Sequence, residues 1–310
     1  MNFVFLTDPL STVVMDTDTT FILMLESHRR GYNVFFLPEG GIALKDGKTY
    51  FHVKRVTPQL SMEKPFIEHE KIILPEDKVD ALFIRTDPPF DKEYLIQTWL
   101  LDNLAKKIPV INNPNGVRSA NEKIFTAQFT GIIPKTLISR HREDLLGFLA
   151  KEKNIIAKPT DGHGGKFVFH IKLGDRNTNA ILETLTNFWK NEIILQKYVS
   201  EAVKGDKRIL LLNGEPLGAI LRLHSKNDHR NNIYAGGRPL ATTITANDKK
   251  IIKAIKPKLR ELGLHFVGID ILGKYLIEIN VTSPTCLQEM NRAYNVQLEK
   301  KVINFVEKMR

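Results

Sequence analysis

The chain has 310 residues, 42% of them hydrophobic and 26% charged, enough for two domains with real cores and incompatible with wholesale disorder, a fibrous repeat or a small stapled fold. Its 45 Lys and Arg against 35 Asp and Glu leave a net charge of +10, an attraction for something anionic that the count does not resolve into nucleic acid, lipid or a small phosphate-bearing molecule. The one cysteine, Cys286, excludes an internal disulfide and a thiolate zinc site.

The apolar run at residues 3–6 is broken by Thr7 and Asp8 and lacks a basic lead, so no secretory signal is expected. No apolar stretch approaches the roughly 20 residues of a bilayer span. A cytoplasmic protein without membrane attachment is expected. Residues 3–6 read as a strand. Residues 18–30 place Phe21, Met24, Leu25 and His28 at helical spacing and stop at Gly31. A strand at 34–37 follows, then a hairpin turning at Asp46-Gly47, a strand at 81–84, a helix over 92–107 and a strand at 109–111. This alternation predicts βαβ units, a mainly parallel sheet and an N-terminal α/β domain over residues 1–118.

The turn-rich run Asn112-Asn113-Pro114-Asn115-Gly116 marks the boundary. Over residues 119–310 strands come closer together, at 155–158, 168–171, 193–197, 207–212, 216–223, 266–272 and 275–281. Helices at 121–129, 142–151, 180–189, 248–262 and 288–308 interleave with them, giving an α+β second half.

Three segments carry candidate chemistry. Lys158-Pro159-Thr160-Asp161-Gly162-His163-Gly164-Gly165-Lys166 lies between two apolar strands and fits neither a P-loop nor a dinucleotide fingerprint. It reads as a flap whose backbone N–H groups at Gly162, Gly164 and Gly165 close over phosphates while Lys158 and Lys166 supply charge, or as an ordinary glycine-rich hairpin. Asp270 lies on one strand of a second hairpin, and Glu278 and Asn280 share a face of the next. A two-residue loop would send the acids to opposite faces; a three-residue loop over 273–275, the one expected, pairs Asp270 with Glu278. Such an oxygen-only set suits a hard cation, magnesium or manganese with phosphate, the alternative being an edge strand with solvated acids. Finally, Arg208, Arg222, Arg230 and Arg238 form a dense group suited to a dianionic substrate or a transferring phosphoryl group. The remaining positive charge, including Lys249-Lys250 and Lys300-Lys301, is dispersed over helix faces without interleaved aromatics, so no nucleic-acid partner is expected.

Together with Thr7-Asp8-Pro9, Arg85-Thr86-Asp87-Pro88-Pro89-Phe90-Asp91, Asn121-Glu122-Lys123, Gly205-Asp206-Lys207-Arg208, Ala235-Gly236-Gly237-Arg238 and the stretch from Glu278 to Cys286, these segments resemble the bacterial glutathione synthetases, ATP-grasp ligases, along nearly the whole chain. The loop from Leu223 to His229 lacks the family's glycines. The resemblance implies an N-terminal α/β domain followed by an ATP-grasp fold, with a lid part at about 125–200, a catalytic part at about 201–310 and nucleotide between two antiparallel sheets. It implies ATP-dependent joining of γ-glutamylcysteine to glycine through an acyl phosphate, or another ATP-grasp carboxylate–amine ligation. Carried over, Lys123 and Lys158 contact ATP, the Gly162–Gly165 flap covers its phosphates, Gln196, Lys197, Tyr198 and Val199 hold adenine, and Asp206 lies near the ribose. Asp270, Glu278 and Asn280 bind Mg2+ or Mn2+; Arg208, Arg222, Arg230 and Arg238 hold the acyl phosphate and peptide carboxylates. The long polar loop from about His224 to Asn232 serves as a lid. The resemblance also implies a homo-oligomer, a tetramer, and leaves Cys286 outside the chemistry.

Overall fold

The computed structural model describes residues 1–161, 164–223 and 238–310. The first sheet contains β1 (Asn2–Leu6), β2 (Asn33–Leu37), β3 (Ile42–Lys45), β4 (Lys48–Pro58), β5 (Phe66–Pro75), β6 (Ala81–Ile84) and β7 (Val110–Ile111). Their order is β3-β4-β2-β1-β6-β7, with β5 also on β4. β2, β1, β6 and β7 run parallel. Phe3, Val4, Phe5 and Leu6 of β1 and all of β6 are buried, the continuous apolar signature of strands covered on both faces. The Asp46-Gly47 turn forms as expected, with positive φ at both residues (51° and 76°).

β5 is not legible from sequence because Glu68, His69, Glu70 and Lys71 interrupt its apolar residues. It is half-solvated, and Glu68 and Glu70 pair across to Lys54 and Arg55 of β4. Helix α1 (Thr19–Arg29) starts where expected: the Asp18 carboxylate accepts from the Phe21 amide at 2.6 Å. Helix α2 (Lys92–Leu100) stops short of residue 107, giving way to a 3-10 turn at Leu104–Lys106. Asp102 and Asn103 between them compete poorly as helix formers. The expected turn run at 112–116 instead opens α3 (Pro114–Ser119). Asn113 Oδ1 caps it by accepting from the Asn115 and Gly116 amides, and Pro114 occupies the first turn.

The second half builds two antiparallel sheets. One, ordered β10-β9-β11-β8, comprises β8 (Thr136–Ser139), β9 (Asn154–Pro159), β10 (Phe169–Lys172) and β11 (Ile193–Lys197). Ile155, Ala157, Ile171, Ile193 and Leu195 on one of its faces pack under α4 (Arg142–Glu152) and α5 (Thr178–Leu185) through Leu145, Leu149 and Leu182. Helix α5 ends before residue 189 because Asn187, Phe188 and Trp189 all take positive φ. Residues 121–129 give a 3-10 turn, Ile124–Gln128, rather than a helix.

The other sheet, ordered β14-β13-β12-β15-β16, comprises β12 (Asp206–Leu212), β13 (Glu215–Leu223), β14 (Arg238–Ala241), β15 (Phe266–Leu272) and β16 (Tyr275–Asn280). Ile209, Leu211, Ala219, Val267, Ile269 and Ile271 form its apolar face, packed with Ile251, Ile252, Ile255 and Leu259 of α6 (Ala246–Glu261). The expected helix over 288–308 is two, α7 (Leu287–Tyr294) and α8 (Leu298–Glu307). Asn295 adopts the left-handed region (φ 52°), and Asn291 Oδ1 accepts from the Leu298 amide to restart the turn. Among the described residues no helix is long and apolar enough to cross a membrane.

Candidate active site

Strand alternation decides what faces the gap between the two antiparallel sheets. Arg208 pairs in register with Asp270 and Ile220, and Asp206 with Arg222, so these groups share the face opposite α6. Glu278 lies directly across from Asp270, and Asn280 across from Gly268, on that same face. On the other sheet Lys158 is paired with Ile194, and Gln196 with Ile156 and Thr136, placing them on the face away from α4 and α5. Two polar faces therefore confront each other, each backed by an apolar one.

The Asp270–Glu278 pairing was expected, but not its cause. The turn holds two residues, Gly273 and Lys274, between the pairs Leu272–Tyr275 and Ile271–Leu276. A β-bulge that leaves Ile277 over shifts the register by one and brings Glu278 opposite Asp270. The three-residue loop is thus replaced by a two-residue turn plus a bulge.

Asp270 is the hub. Arg208 donates to it twice, Nε to Oδ1 at 2.5 Å and Nη2 to Oδ2 at 2.9 Å, and Arg222 Nη2 lies 2.9 Å from Oδ2. Arg222 also donates from Nε to Asp206 Oδ1 at 2.9 Å and from Nη2 to Oδ2. Burial alone would push the Asp270 carboxyl up; the Arg208 and Arg222 guanidiniums overcome this and hold it well below the usual carboxylate range. Burial likewise opposes the Arg222 charge, and Asp270 and Asp206 more than restore it. Gly205 makes this packing possible: at φ 92° it brings Asp206 in so close that a Cβ there would sit 2.4 Å from the Arg222 carbonyl oxygen.

Lysines approach from two directions. Lys123 Nζ lies 3.6 Å from Glu278 Oε1. Lys158, 6% exposed, is brought down to about 8, chiefly by burial; Glu278 and Asp270 support its charge and Lys123 opposes it. Asn280 Nδ2 donates to the Gly268 carbonyl at 3.3 Å, so a cation would meet its Oδ1. Among the described residues no three His, Cys, Asp or Glu side chains cluster as a metal set. The candidate set is two carboxylates and an amide, all oxygen, with Asp270 firmly ionised. That chemistry fits a hard divalent cation.

The segment from 196 to 199 joins the two sheets. Gln196 is buried and donates to Thr136 Oγ1 at 3.1 Å. The Lys197 and Tyr198 amides donate to the Lys135 and Asn154 carbonyls, and the Lys197 ammonium sits 3.4 Å from Glu152. The Tyr198 ring stacks on His170 at 4.1 Å, while Val199 is buried. Lys197, Tyr198 and Val199 border a cleft of about 860 Å3 between β8 and the Gly273-Lys274 turn. Gly164 and Gly165 both take positive φ (65° and 75°), the backbone freedom read into the flap. Arg238 is exposed on β14, paired with Leu223, apart from the buried cluster. Gly162, His163, Arg230, the glycines at 236 and 237 and the proposed lid at 224–232 lie outside the described residues. Cys286 is buried and its thiol is pushed up by burial, consistent with a packing role. Two side chains given no role from sequence, Asn112 and Glu122, grip the ends of β15 and β16.

Two antiparallel sheets facing each other across a lysine-lined gap, with an acidic pair at the end of one hairpin, define an ATP-grasp enzyme. Solved structures agree: the D-cycloserine synthetase DcsG superposes with a TM-score of 0.66 over 98% of this chain and 99% of its own at 15% identity. The ATP-grasp ligase PsnB, complexed with a minimal precursor, gives 0.64 over 99% of each chain at 14% identity. At such identity these share the fold alone. Family models are more specific: the prokaryotic glutathione synthetase N-terminal domain matches residues 1–118 and the ATP-grasp domain of the same enzyme matches 122–295. The glutathione synthetase of Vibrio cholerae is 39% identical over 97% of this chain and 95% of its own length; that of Agrobacterium fabrum is 39% identical over 98% and 95%. The chain belongs to the prokaryotic glutathione synthetase family, and it is an ATP-dependent ligase.

Proposed function

We propose that the chain condenses γ-glutamylcysteine with glycine in the cytoplasm, at a site where Asp270 and Glu278 stand opposed on one sheet and Lys158 reaches them from the other. That juxtaposition carries the reading. A carboxylate is a poor electrophile. Its oxygen therefore attacks the γ-phosphorus of ATP, ADP leaves, and an acyl phosphate forms; the glycine nitrogen then attacks the acyl carbon, phosphate departs and the amine proton is lost.

Asp270, Glu278 and Asn280 would hold Mg2+ or Mn2+, which when bound neutralises the nucleotide phosphates. Lys123 and Lys158 bind and orient those phosphates, and Gly164 and Gly165 let the flap backbone approach them. Residues Gln196, Lys197, Tyr198 and Val199 receive adenine, and Asp206 lies near the ribose while fixing Arg222. Arg208 and Arg222, locked by Asp270 and Asp206, present fixed positive charge where charge accumulates on the transferring phosphoryl group and the tetrahedral species. Arg230 and Arg238 bind substrate carboxylates. No side chain is required as a nucleophile, which accords with the buried thiol of Cys286. We also propose a division at residues 118/119 between an N-terminal domain and the ATP-grasp part, with a lid part at about 125–200 and a catalytic part at about 201–310, and assembly into a tetramer.

Glu278→Gln tests the site. It removes one charged cation ligand while leaving the apolar packing intact, so ADP release is expected to fall about 100-fold with the protein still folded. Wild-type turnover at saturating magnesium would refute the assignment.

A further inference from the structure

The end of β16 that carries Glu278 and Asn280 is held to its own sheet over a short stretch. Beyond the bulge at Ile277 only three pairs hold it to β15: Asp270–Glu278, Ile269–Ile279 and Gly268–Asn280. A one-residue slip would carry Glu278 and Asn280 to the opposite face. The next residue, Val281, is fully buried, and its peptide groups are held by side chains from outside the sheet. Its N–H donates to Glu122 Oε1 at 2.8 Å, and its carbonyl accepts from Asn112 Nδ2 at 2.7 Å. Asn112 also closes on the start of β15, donating to the Phe266 carbonyl and accepting from the Phe266 amide, both at 2.7 Å.

Glu122 is the more demanding half of this clip. The same Oε1 accepts from the Thr282 amide at 3.1 Å and from Thr282 Oγ1 at 2.8 Å, while the Glu122 carbonyl accepts from the Ile279 amide at 3.0 Å. Burial and the nearby Glu278 both push its carboxyl up, and the Thr282 and Val281 donors counter them only in part. The following residue is Lys123, whose ammonium faces Glu278. We propose that Glu122 is a positioning residue for the cation and nucleotide: it pins the end of β16 so that Glu278 and Asn280 stay opposite β15, and it delivers Lys123 to the same site. This rests on the reading of Asp270, Glu278 and Asn280 as the cation ligands.

The test measures Mn2+ binding by electron paramagnetic resonance of the free ion, in the presence of ADP, alongside thermal melting. Glu122→Ala is expected to weaken Mn2+ binding about 10- to 100-fold, the range for residues that orient metal ligands, with the folded state retained. Glu122→Gln keeps an accepting oxygen and is expected to stay within about threefold of wild type. Wild-type affinity in folded Glu122→Ala overturns the proposal. Should that variant not fold, Thr282→Val, which removes one donor and strands no charge, takes its place: a loss of about threefold or more supports the clip, and an unchanged affinity overturns it. Glu278→Gln is measured in parallel. Unchanged binding there identifies a failure of the ligand assignment itself, separately from any failure of the Glu122 inference.

Discussion

Lys158 offers the sharpest perturbation because burial has already moved it. Without nucleotide its ammonium is brought from 10.5 to about 8, mainly by burial between the sheets. At pH 8 such a group is half protonated. Nucleotide phosphates placed beside it favour the charged form, and returning the lysine toward its ordinary range draws in roughly half a proton per ADP bound at that pH. From pH 8 upward the apparent affinity should fall, approaching about tenfold per pH unit, because an ever smaller fraction of the free protein carries the charge. Isothermal titration of ADP with magnesium at pH 8, run in buffers of different ionisation enthalpy such as HEPES and Tris, reads the proton uptake directly. Lys158→Met should abolish it. Heats independent of the buffer, or an uptake that persists in the methionine variant, would refute the assignment of Lys158 to the phosphates.

The same shift makes a stability prediction. A lysine depressed in the folded state binds fewer protons than in the unfolded chain, so its destabilisation is complete below about pH 8 and fades as the pH rises toward 10.5. Lys158→Met should stabilise the nucleotide-free protein at pH 7 by up to about 3 kcal/mol in urea titration; no gain would contradict the burial argument. Asp270→Asn leaves the Arg208 and Arg222 guanidiniums, 5% and 3% exposed, without their shared counter-charge, and should cost about 3–5 kcal/mol in the same assay. A loss under about 1 kcal/mol would mean the arginines find other partners. Gly116→Ala in α3 would place a Cβ 2.0 Å from the Leu262 carbonyl oxygen and should lower stability by about 3 kcal/mol, read as a shifted urea midpoint; an unchanged midpoint would show that α3 can move away from the end of α6.

Local rules made much of the fold legible. The Asp18 cap, the Asp46-Gly47 turn and the buried runs of β1 and β6 follow from side chains within a few residues of each other. What escaped depended on distant partners. β5 is held by its ladder to β4, where Phe66 and Leu74 are buried and Lys54 and Arg55 stand by Glu68 and Glu70, while its own sequence looks too polar. Asn113-Pro114, a turn signal in isolation, is equally a helix start, and the structure uses it as one. Asn295 divides the C-terminal helix by adopting a left-handed conformation that apolar periodicity does not reveal.

The site shows the same division. Period-two alternation placed Glu278 and Asn280 on one face, and Asp270 did meet Glu278, but through a bulge at Ile277 rather than a longer turn. Turn residues can be read from sequence; a bulge at Ile277, in a strand whose end is held at Val281 by side chains from outside the sheet, cannot. Glu122 lies within the Asn121-Glu122-Lys123 motif, yet its partners, Val281 and Thr282, are 159 and 160 residues away.

The most direct test of the central claim is ADP release by the purified chain with ATP and magnesium, varying the two amino substrates independently. Release that requires both γ-glutamylcysteine and glycine, with glutathione formed in equal amount, is the predicted result. Release that is independent of glycine, or equally fast with unrelated amino acids, would contradict it.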